Sequence, residues 1–277
     1  GGFTMSNDGP KIFIVADSEG PTGVAEYWAR NLPSTSPRLR PFRELMTGDV
    51  NAAVQGCFDA GASAVVVKDD GFRDRNILPE LLDPRAQLIL SGDSLLDGLD
   101  EHFAGVMLVG FHAMEGATDA VLSHTWSSAR RRRYWFNGRE GGELAAYAIA
   151  AGHDHGVPII MATGCTGLCR EARAWLGPDL VTVPVKRLRP DGTVDLFPAA
   201  DTHSHIRAGA RAAVERAHHH RPYRPRFPLA VRLQLTDPDT TTGYIAWRQQ
   251  HKPDWPAHRT GACTLEASLQ TTHHLVL

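Results

Sequence analysis

The sequence predicts an α/β fold in three layers, a mostly parallel sheet between helices, with a smaller α+β portion at its C-terminal end. Two observations lead to this prediction. Apolar segments of strand length alternate with segments of helical periodicity to about residue 180, which is the pattern of a parallel sheet with helical crossovers. Several of the strand segments are also apolar at successive positions, as strands buried on both faces of such a sheet must be.

The predicted strands share an apolar run that ends at or close to Gly, Asp or His, residue types that favour a turn. They are 11–17, 63–69, 86–92, 105–113 and 157–164. The segments between them carry apolar residues at helical spacing. These predicted helices are 43–61, 93–103, 141–156 and 166–177.

The C-terminal third carries weaker signals. They are strand-like residues 180–198, a helix over 200–220, a Pro-rich linker over 221–228 and an alternating strand over 229–238. No periodicity places the residues from 239 onward. We therefore predict an α/β domain over 11–198 and a smaller α+β portion over 199–277.

Composition excludes several classes of partner. The chain has 277 residues, with 29 basic and 31 acidic side chains and a net charge of −2, so it has no overall field to hold nucleic acid or an anionic membrane. No apolar run approaches the ~20 residues of a membrane span, and the first residues lack a signal-peptide pattern. The four cysteines are scattered and predict reduced thiols. A cytoplasmic protein with a small ligand is expected.

Ionisable and polar residues collect where the predicted strands end, the edge at which open parallel sheets bind ligands. They are Asp17 and Glu19 after the first strand, Asp69 and Asp70 at the second, His112 at the fourth, and Cys165 and Thr166 after the fifth. His124 in "VLSHTWS" and Glu143 in "GGELAAY" are expected nearby. The two glycines before Glu143 open a helix, whose N-terminus favours a carboxylate.

This set of residues suits a metal ion. Carboxylates gathered without a compensating Lys or Arg repel one another, so they need protons or a cation. Two or three acids with one or two imidazoles form a divalent-metal ligand set. Asp17 and Glu19, two positions apart, project to the same side, so one carboxylate can bridge metals and the other can bind terminally. The alternative is that Asp17 caps a turn and Glu19 is solvated.

Four motifs add a family resemblance. "VADSEG", "GFHA", "LSHT" and "GGEL", in this order and spacing, resemble the D-aminopeptidase family of bacterial zinc metallopeptidases. The resemblance covers about residues 11–190 and, more weakly, 259–267. It implies metal-dependent hydrolysis of amide bonds in peptides with an N-terminal D-amino acid, and a homo-oligomer. On this reading 11–198 is the catalytic domain, and 199–277 completes the site or an oligomer interface.

The resemblance also implies a role for each motif residue. Asp17 matches the bridging ligand, Glu19, His112 and Glu143 match further metal ligands, and His124 matches a catalytic histidine. Zinc is the expected ion, one or two per chain.

Two positions depart from the family pattern. The family's second strand ends in N-D-S-H, whose His binds a second metal, whereas "KDDG" places Gly71 there. Asp70 or Asp69 is the expected replacement, and an oxygen-rich site would tolerate Mn. Otherwise the second metal is weak or absent. Where the family has Gly-Asp-Asp after the fifth strand, this chain has "GCT", so Cys165 and Thr166 are predicted to bind substrate.

The sequence is also compatible with three alternatives. Hydrolysis of a pathway-specific amide or ester would change the substrate and keep the mechanism. A homologue that has lost hydrolysis would act as a binding or scaffold subunit. Acyl transfer or amide hydrolysis through Cys165 would replace the attacking water by a thiol. For the leading hypothesis the expected partners are a small peptide or amide substrate and other copies of the chain, with no nucleic acid and no membrane.

Overall fold

The structure, a computed structural model, describes residues 9–27, 32–70, 76–90, 92 and 94–277. The strands and α-helices in these ranges follow in chain order as β1 (Lys11–Ala16), α1 (Arg40–Asp59), β2 (Ala64–Asp69), β3 (Ala86–Ile89), β4 (Phe103–Phe111), β5 (Arg133–Phe136), β6 (Arg139–Gly141), α2 (Glu143–Ala150), β7 (Ile159–Cys165), α3 (Thr166–Leu176), β8 (Val181–Leu188), β9 (Val194–Leu196), α4 (Ala199–Glu215), β10 (Leu229–Gln234), α5 (Pro238–His251), β11 (His258–Arg259) and β12 (Thr264–Leu269). A π-helical turn at Ala151–His155 continues α2.

The main sheet, sheet A, confirms the predicted fold class. Its order is β3-β2-β1-β4-β7-β8-β9, and all its pairings are parallel except that of β9 with β8. Helices α1 and α4 share one hydrophobic cluster with sheet A, and α2 and α3 share the other. In β1, Ile12 and Ile14 belong to the first cluster, and Phe13 and Val15 to the second. This two-sided burial explains the continuous apolar run.

A second, antiparallel sheet, sheet B, has the order β11-β12-β10-β5-β6. Its inward residues, such as Tyr134 and Val231, join the cluster of α2 and α3. Strands β5 and β6 come from the range 11–198, whereas β10, β11 and β12 come from 199–277. The predicted division of the chain stays a prediction, but its two parts share one sheet.

Local predictions failed in three places. The predicted helix at 93–103 is wrong, because residues 95–98 form turns, Gly98 has a φ of 91°, and β4 begins at Phe103. Strands β5, β6, β11 and β12 were not predicted. Neither was α5, which begins where the Asp237 side chain accepts a hydrogen bond from the Thr240 N–H.

The described part of the chain contains no helix that is both long enough and apolar enough to cross a membrane.

Candidate metal centre

The loop after β1 is fixed against the end of β4. The Asp17 N–H donates to the Val109 carbonyl at 2.9 Å, and the Gly20 N–H donates to the Gly110 carbonyl at 2.7 Å. A Cβ at Gly20 would lie 2.0 Å from the Phe111 carbonyl oxygen, so only glycine permits this approach. Asp17 and Glu19 are thereby held beside His112, the first residue after β4.

Asp17, His112 and Glu143 form an inner group of three potential ligands, whose ligand atoms all lie within 4.8 Å of one another. His112 Nε2 is 3.4 Å from Asp17 Oδ2 and 3.2 Å from Glu143 Oε1. Among the described residues, Asp17 Oδ2 is buried without a hydrogen-bond partner, while Oδ1 accepts the Ser18 N–H at 2.8 Å. A buried carboxylate oxygen without a donor is the kind of atom that a cation satisfies.

The orientation of His112 suits a metal ligand. Its Nδ1 lies 3.0 Å from the Ala113 carbonyl oxygen, so the ring proton at Nδ1 donates there. In the neutral ring Nε2 then carries the lone pair, and it faces the two carboxylates.

His124 stands on the other side of His112. The two rings stack with centroids 3.7 Å apart, and His124 Nδ1 is 2.9 Å from the Leu122 carbonyl oxygen. Glu19, His112 and His124 form an outer group of potential ligands, again within 4.8 Å. Leu122 and Trp126, on either side of His124, have φ values of 57° and 60°, strained for non-glycine residues. The turn that presents His124 is therefore fixed by its surroundings.

Glu143 is placed by the start of α2. Its Oε1 accepts the Trp126 N–H at 2.6 Å, which ties α2 to the turn that carries His124. A Cβ at Gly142 would lie 2.7 Å from Met114 Cβ, so the glycine before Glu143 allows this helix to begin against the loop after β4. The "GGEL" motif thus has a packing reason as well as a chemical one.

The acids and imidazoles strongly perturb one another. Burial, followed by the Glu19 charge, raises the pKa of Asp17 well above its usual range. Burial opposes a charged His112, but the carboxylates of Glu143 and Asp17 outweigh it and raise that pKa well above its usual value. Burial likewise disfavours an ionised Glu143, but His112 outweighs it and lowers the pKa to about 2. The metal-free site therefore holds extra protons where a divalent cation would supply positive charge.

His124 differs from His112. Burial and the charge of His112 lower the pKa of His124, so it is neutral near pH 7. Because its Nδ1 faces the Leu122 carbonyl, the lone pair is at Nε2, which is 3.9 Å from Glu143 Oε1.

The expectation that no Lys compensates the acids is wrong, because two buried lysines lie at this edge. Lys186 on β8 donates through Nζ to the backbone carbonyls of Glu19 at 2.7 Å, Pro21 at 3.1 Å and Val24 at 2.5 Å. Burial lowers the pKa of Lys186 to about 8. Lys68 on β2, 1% exposed, forms an ion pair with Asp70 Oδ1.

The two acids at the end of β2 already have protein donors. Asp69 Oδ2 accepts the N–H groups of Asn76 at 2.6 Å and Ile77 at 2.9 Å, and Oδ1 accepts from Asn76 Nδ2 at 3.1 Å. Asp70 belongs to neither ligand group, and burial raises its pKa to about 6. Its role as a ligand stays a prediction, and Gly71 lies outside the described residues.

Glu171 on α3 is a further buried acid that the sequence did not single out. Its Oε2 accepts the Met114 N–H at 2.8 Å, two residues after His112. Burial raises its pKa to about 7. Glu171 therefore fixes the loop that comes after His112.

Cys165 and Thr166 lie at the junction of β7 and α3 and in neither ligand group. Cys165 is 0% exposed, so its thiol cannot meet a substrate unless the surrounding residues move, and attack by this thiol is not favoured. Thr166 is partly exposed. The predicted contact of these two residues with substrate stays a prediction.

Comparison with known proteins agrees with this geometry. A family model described as D-aminopeptidase, of the M55 peptidases, matches residues 11–254. A D-aminopeptidase of Bacillus subtilis (strain 168) is 32% identical over 181 residues, 64% of this chain and 64% of that protein. The match therefore spans slightly less than two thirds of that relative. The solved Zn-dependent D-aminopeptidase DppA from Bacillus subtilis, a self-compartmentalizing protease, has a TM-score of 0.83 and 24% identity, covering 95% of this chain and 93% of that chain.

Proposed function

Because the chain belongs to the D-aminopeptidase family of M55 peptidases, we propose that it is a zinc-dependent hydrolase acting on small peptides or amides with an N-terminal D-amino acid. Family membership confirms the resemblance that the four motifs carry. The inner group supports the proposed activity. Asp17 Oδ2, which has no hydrogen-bond partner among the described residues, and Glu143 Oε1 both face His112 Nε2.

The donor set fits zinc. One imidazole nitrogen and two carboxylates form a three-ligand set of the type found in catalytic zinc sites, which leave a position for substrate or water. Asp17, His112 and Glu143 would hold the ion, and Glu19 lies on the His124 side of His112. The same ligands would accept Mn with lower preference. When bound, the ion supplies a Lewis acid that polarises the scissile carbonyl and lowers the pKa of water.

His124 supplies the proton transfer. Its Nε2 is unprotonated near neutral pH and lies beside the ligand group, so it takes up a proton from the water that attacks the amide and gives this proton to the leaving amine. The Leu122 carbonyl and the stacked His112 ring keep Nε2 in this direction through the cycle.

Two further properties complete the proposal. The solved relative is a self-compartmentalizing protease, which supports a homo-oligomer for this chain as well. We place the protein in the cytoplasm on its sequence. No observation favours a scaffold that has lost hydrolysis, since the three potential ligands of the inner group stay together and Asp17 Oδ2 has no hydrogen-bond partner among the described residues.

Two substitutions test this assignment. Asp17→Ala should remove the bound metal and all hydrolysis, because Asp17 supplies the oxygen that lacks any other partner. His124→Ala should retain the metal and lower the turnover of D-alanyl peptides by about 100- to 10,000-fold, the usual contribution of a general acid–base group. Metal content is measured by elemental analysis of protein purified without chelator, and turnover by release of the amino acid.

Matched controls are Asp239→Ala and His205→Ala, which alter exposed side chains outside both ligand groups and should change neither quantity. A full metal complement in Asp17→Ala would show that the ligand assignment is wrong. Undiminished hydrolysis after complete removal of metal would refute the metal-dependent mechanism. Hydrolysis of L-alanyl peptides alone would refute the proposed stereochemistry.

A further inference from the structure

Lys68 brings a fixed positive charge to the same side of sheet A as the inner ligand group. It pairs in register with Val15, and strand alternation puts Val15 and Asp17 on one side of the sheet. Its partner Asp70 comes directly after β2, at the carboxyl end of sheet A. The Asp70 N–H donates to the Ala16 carbonyl at 3.0 Å, so the ion pair lies beside the residue that precedes Asp17.

Among the described residues, the two ligand groups at this edge depend on one shared nitrogen donor. The inner and outer ligand groups share His112, and only its Nε2 is available because Nδ1 faces the Ala113 carbonyl. A nitrogen lone pair binds one cation at a time, so both groups cannot be filled through His112. Both carboxylate oxygens of Asp69 accept hydrogen bonds from Asn76 or Ile77, and Oδ1 of Asp70 is paired with Lys68.

The lysines contribute as much positive charge as a second divalent ion would. The acids at this edge, Asp17, Glu19, Asp69, Asp70 and Glu143, carry five negative charges when ionised. A single divalent cation together with the ammonium groups of Lys68 and Lys186 supplies four positive charges. One ion therefore leaves little of this negative charge uncompensated.

We infer that this chain has a one-metal centre in which Lys68 takes the place of a second cation and withholds Asp70 from the metal. The inference rests on the proposed metal site and concerns its stoichiometry. In this arrangement Asp70 is a partner of Lys68 and contributes no ligand, whereas Asp17, His112 and Glu143 bind the single ion.

The test is metal content per folded chain, measured by elemental analysis after equilibration with zinc and removal of loosely bound ion. The unmodified chain and Asp70→Asn should each hold about one equivalent. Lys68→Met replaces the ammonium by a neutral side chain of similar length, frees the Asp70 carboxylate, and should raise the content toward two. Lys68→Met/Asp70→Asn removes both charges and should return it to one.

A second set of potential zinc ligands, at the surface, would add to the measured metal content. Asp254, His273 and His274 place ligand atoms within 4.8 Å of one another, and His274 Nε2 is 3.3 Å from Asp254 Oδ2. All four proteins are therefore compared in a His273→Ala/His274→Ala background, so that zinc held there is not counted. Circular dichroism and the melting transition verify folding.

The outcomes separate the two proposals. No metal in the unmodified chain would refute the proposed function. Two equivalents in the unmodified chain, or loss of metal in Asp70→Asn, would refute the one-metal centre while leaving metal-dependent hydrolysis intact. A folded Lys68→Met protein that still binds one equivalent would refute the role given to Lys68. If Lys68→Met does not fold, the unmodified chain and Asp70→Asn still decide the stoichiometry.

Discussion

His112 connects the two parts of the site within a single side chain. Nε2 faces the carboxylates of Asp17 and Glu143, while the ring stacks on His124. Any shift of this imidazole would change both the ligand group and the position of the proposed proton carrier. The loop after His112 is therefore where buried contacts matter most, and Glu171 makes one of them through the Met114 N–H.

Glu171 gives a stability prediction with a defined sign. Its pKa is raised from 4.5 to about 7, so between these values the folded chain holds a proton that the unfolded chain has lost. The free energy of unfolding therefore falls as pH rises through this window, and the loss is complete above about pH 7. Glu171→Gln removes this titration. Between pH 5 and pH 8 the free energy of unfolding of the variant should therefore fall less than that of the unmodified chain, by up to roughly 3 kcal/mol.

Urea unfolding of the metal-free proteins at several pH values measures this difference. The control is Glu215→Gln, an exposed acid paired with Arg211 on α4, which should show the same pH dependence as the unmodified chain. If the Glu171→Gln and unmodified curves ran parallel from pH 5 to pH 8, Glu171 would already be ionised in the folded state.

At the residue scale, the sequence predicts contacts between the ends of neighbouring strands, but not contacts made across long stretches of chain. Asp17 and His112 could be predicted to meet because neighbouring parallel strands end at one edge. Lys186 could not, because it reaches Glu19 across 167 residues of sequence and its strand carries no motif. Lys68 lies inside an apolar strand, where a single charged residue gives no indication of its partner.

At the scale of elements, α1 and α4 approach each other closely at a glycine. A Cβ at Gly56 would lie 2.2 Å from the Arg207 carbonyl oxygen and 2.8 Å from Ala210 Cβ. The α4 backbone therefore packs directly against α1 at this position. In α5, by contrast, a Cβ at Gly243 would meet nothing within 4 Å.

This pair of glycines predicts opposite effects of the same substitution. Alanine favours helix over glycine by up to about 1 kcal/mol, so Gly243→Ala should be stabilising. Gly56→Ala forces α1 and α4 apart and should lower the free energy of unfolding by about 1–3 kcal/mol, the usual cost of overpacking. Urea unfolding at neutral pH measures both. Equal stabilisation by the two substitutions would mean that the helices separate at no cost and that the close contact is not a feature of the fold.

Some strands can be predicted from their own residues, whereas others form only because of partners far away in the sequence. Strands β1, β2, β4 and β7 are buried on both faces, so their composition alone marks them. Strand β5 begins at Arg133 after three further arginines and pairs with β10, whose residues come about a hundred positions later. The false helix at 93–103 arose because Leu96 and Leu99 are spaced for a helix, although they reach the core from turns around Gly98.

At the scale of the whole molecule, the C-terminal residues complete structure that begins much earlier in the chain. Strand β10 pairs with β5. The Tyr134 hydroxyl on β5 donates to the Leu277 carbonyl at 2.8 Å, and Tyr244 on α5 donates to the same oxygen. The Arg248 guanidinium donates a hydrogen bond to the Val276 carbonyl at 3.0 Å. Sheet B therefore depends on contacts between residues on both sides of position 198.

These contacts predict that the range 1–198 does not fold alone. Without residues 199–277, β5 lacks β10, and the hydrophobic cluster of α1 and sheet A loses its α4 members Ile206, Ala210, Ala213 and Val214. The loss of this apolar burial should leave the fragment without a cooperative urea transition and with little near-ultraviolet circular dichroism. Adding the separately produced fragment 199–277 should restore both signals, because it returns α4 and β10. A cooperative transition of fragment 1–198 alone, at the midpoint of the intact chain, would instead establish the predicted boundary as that of an independent domain.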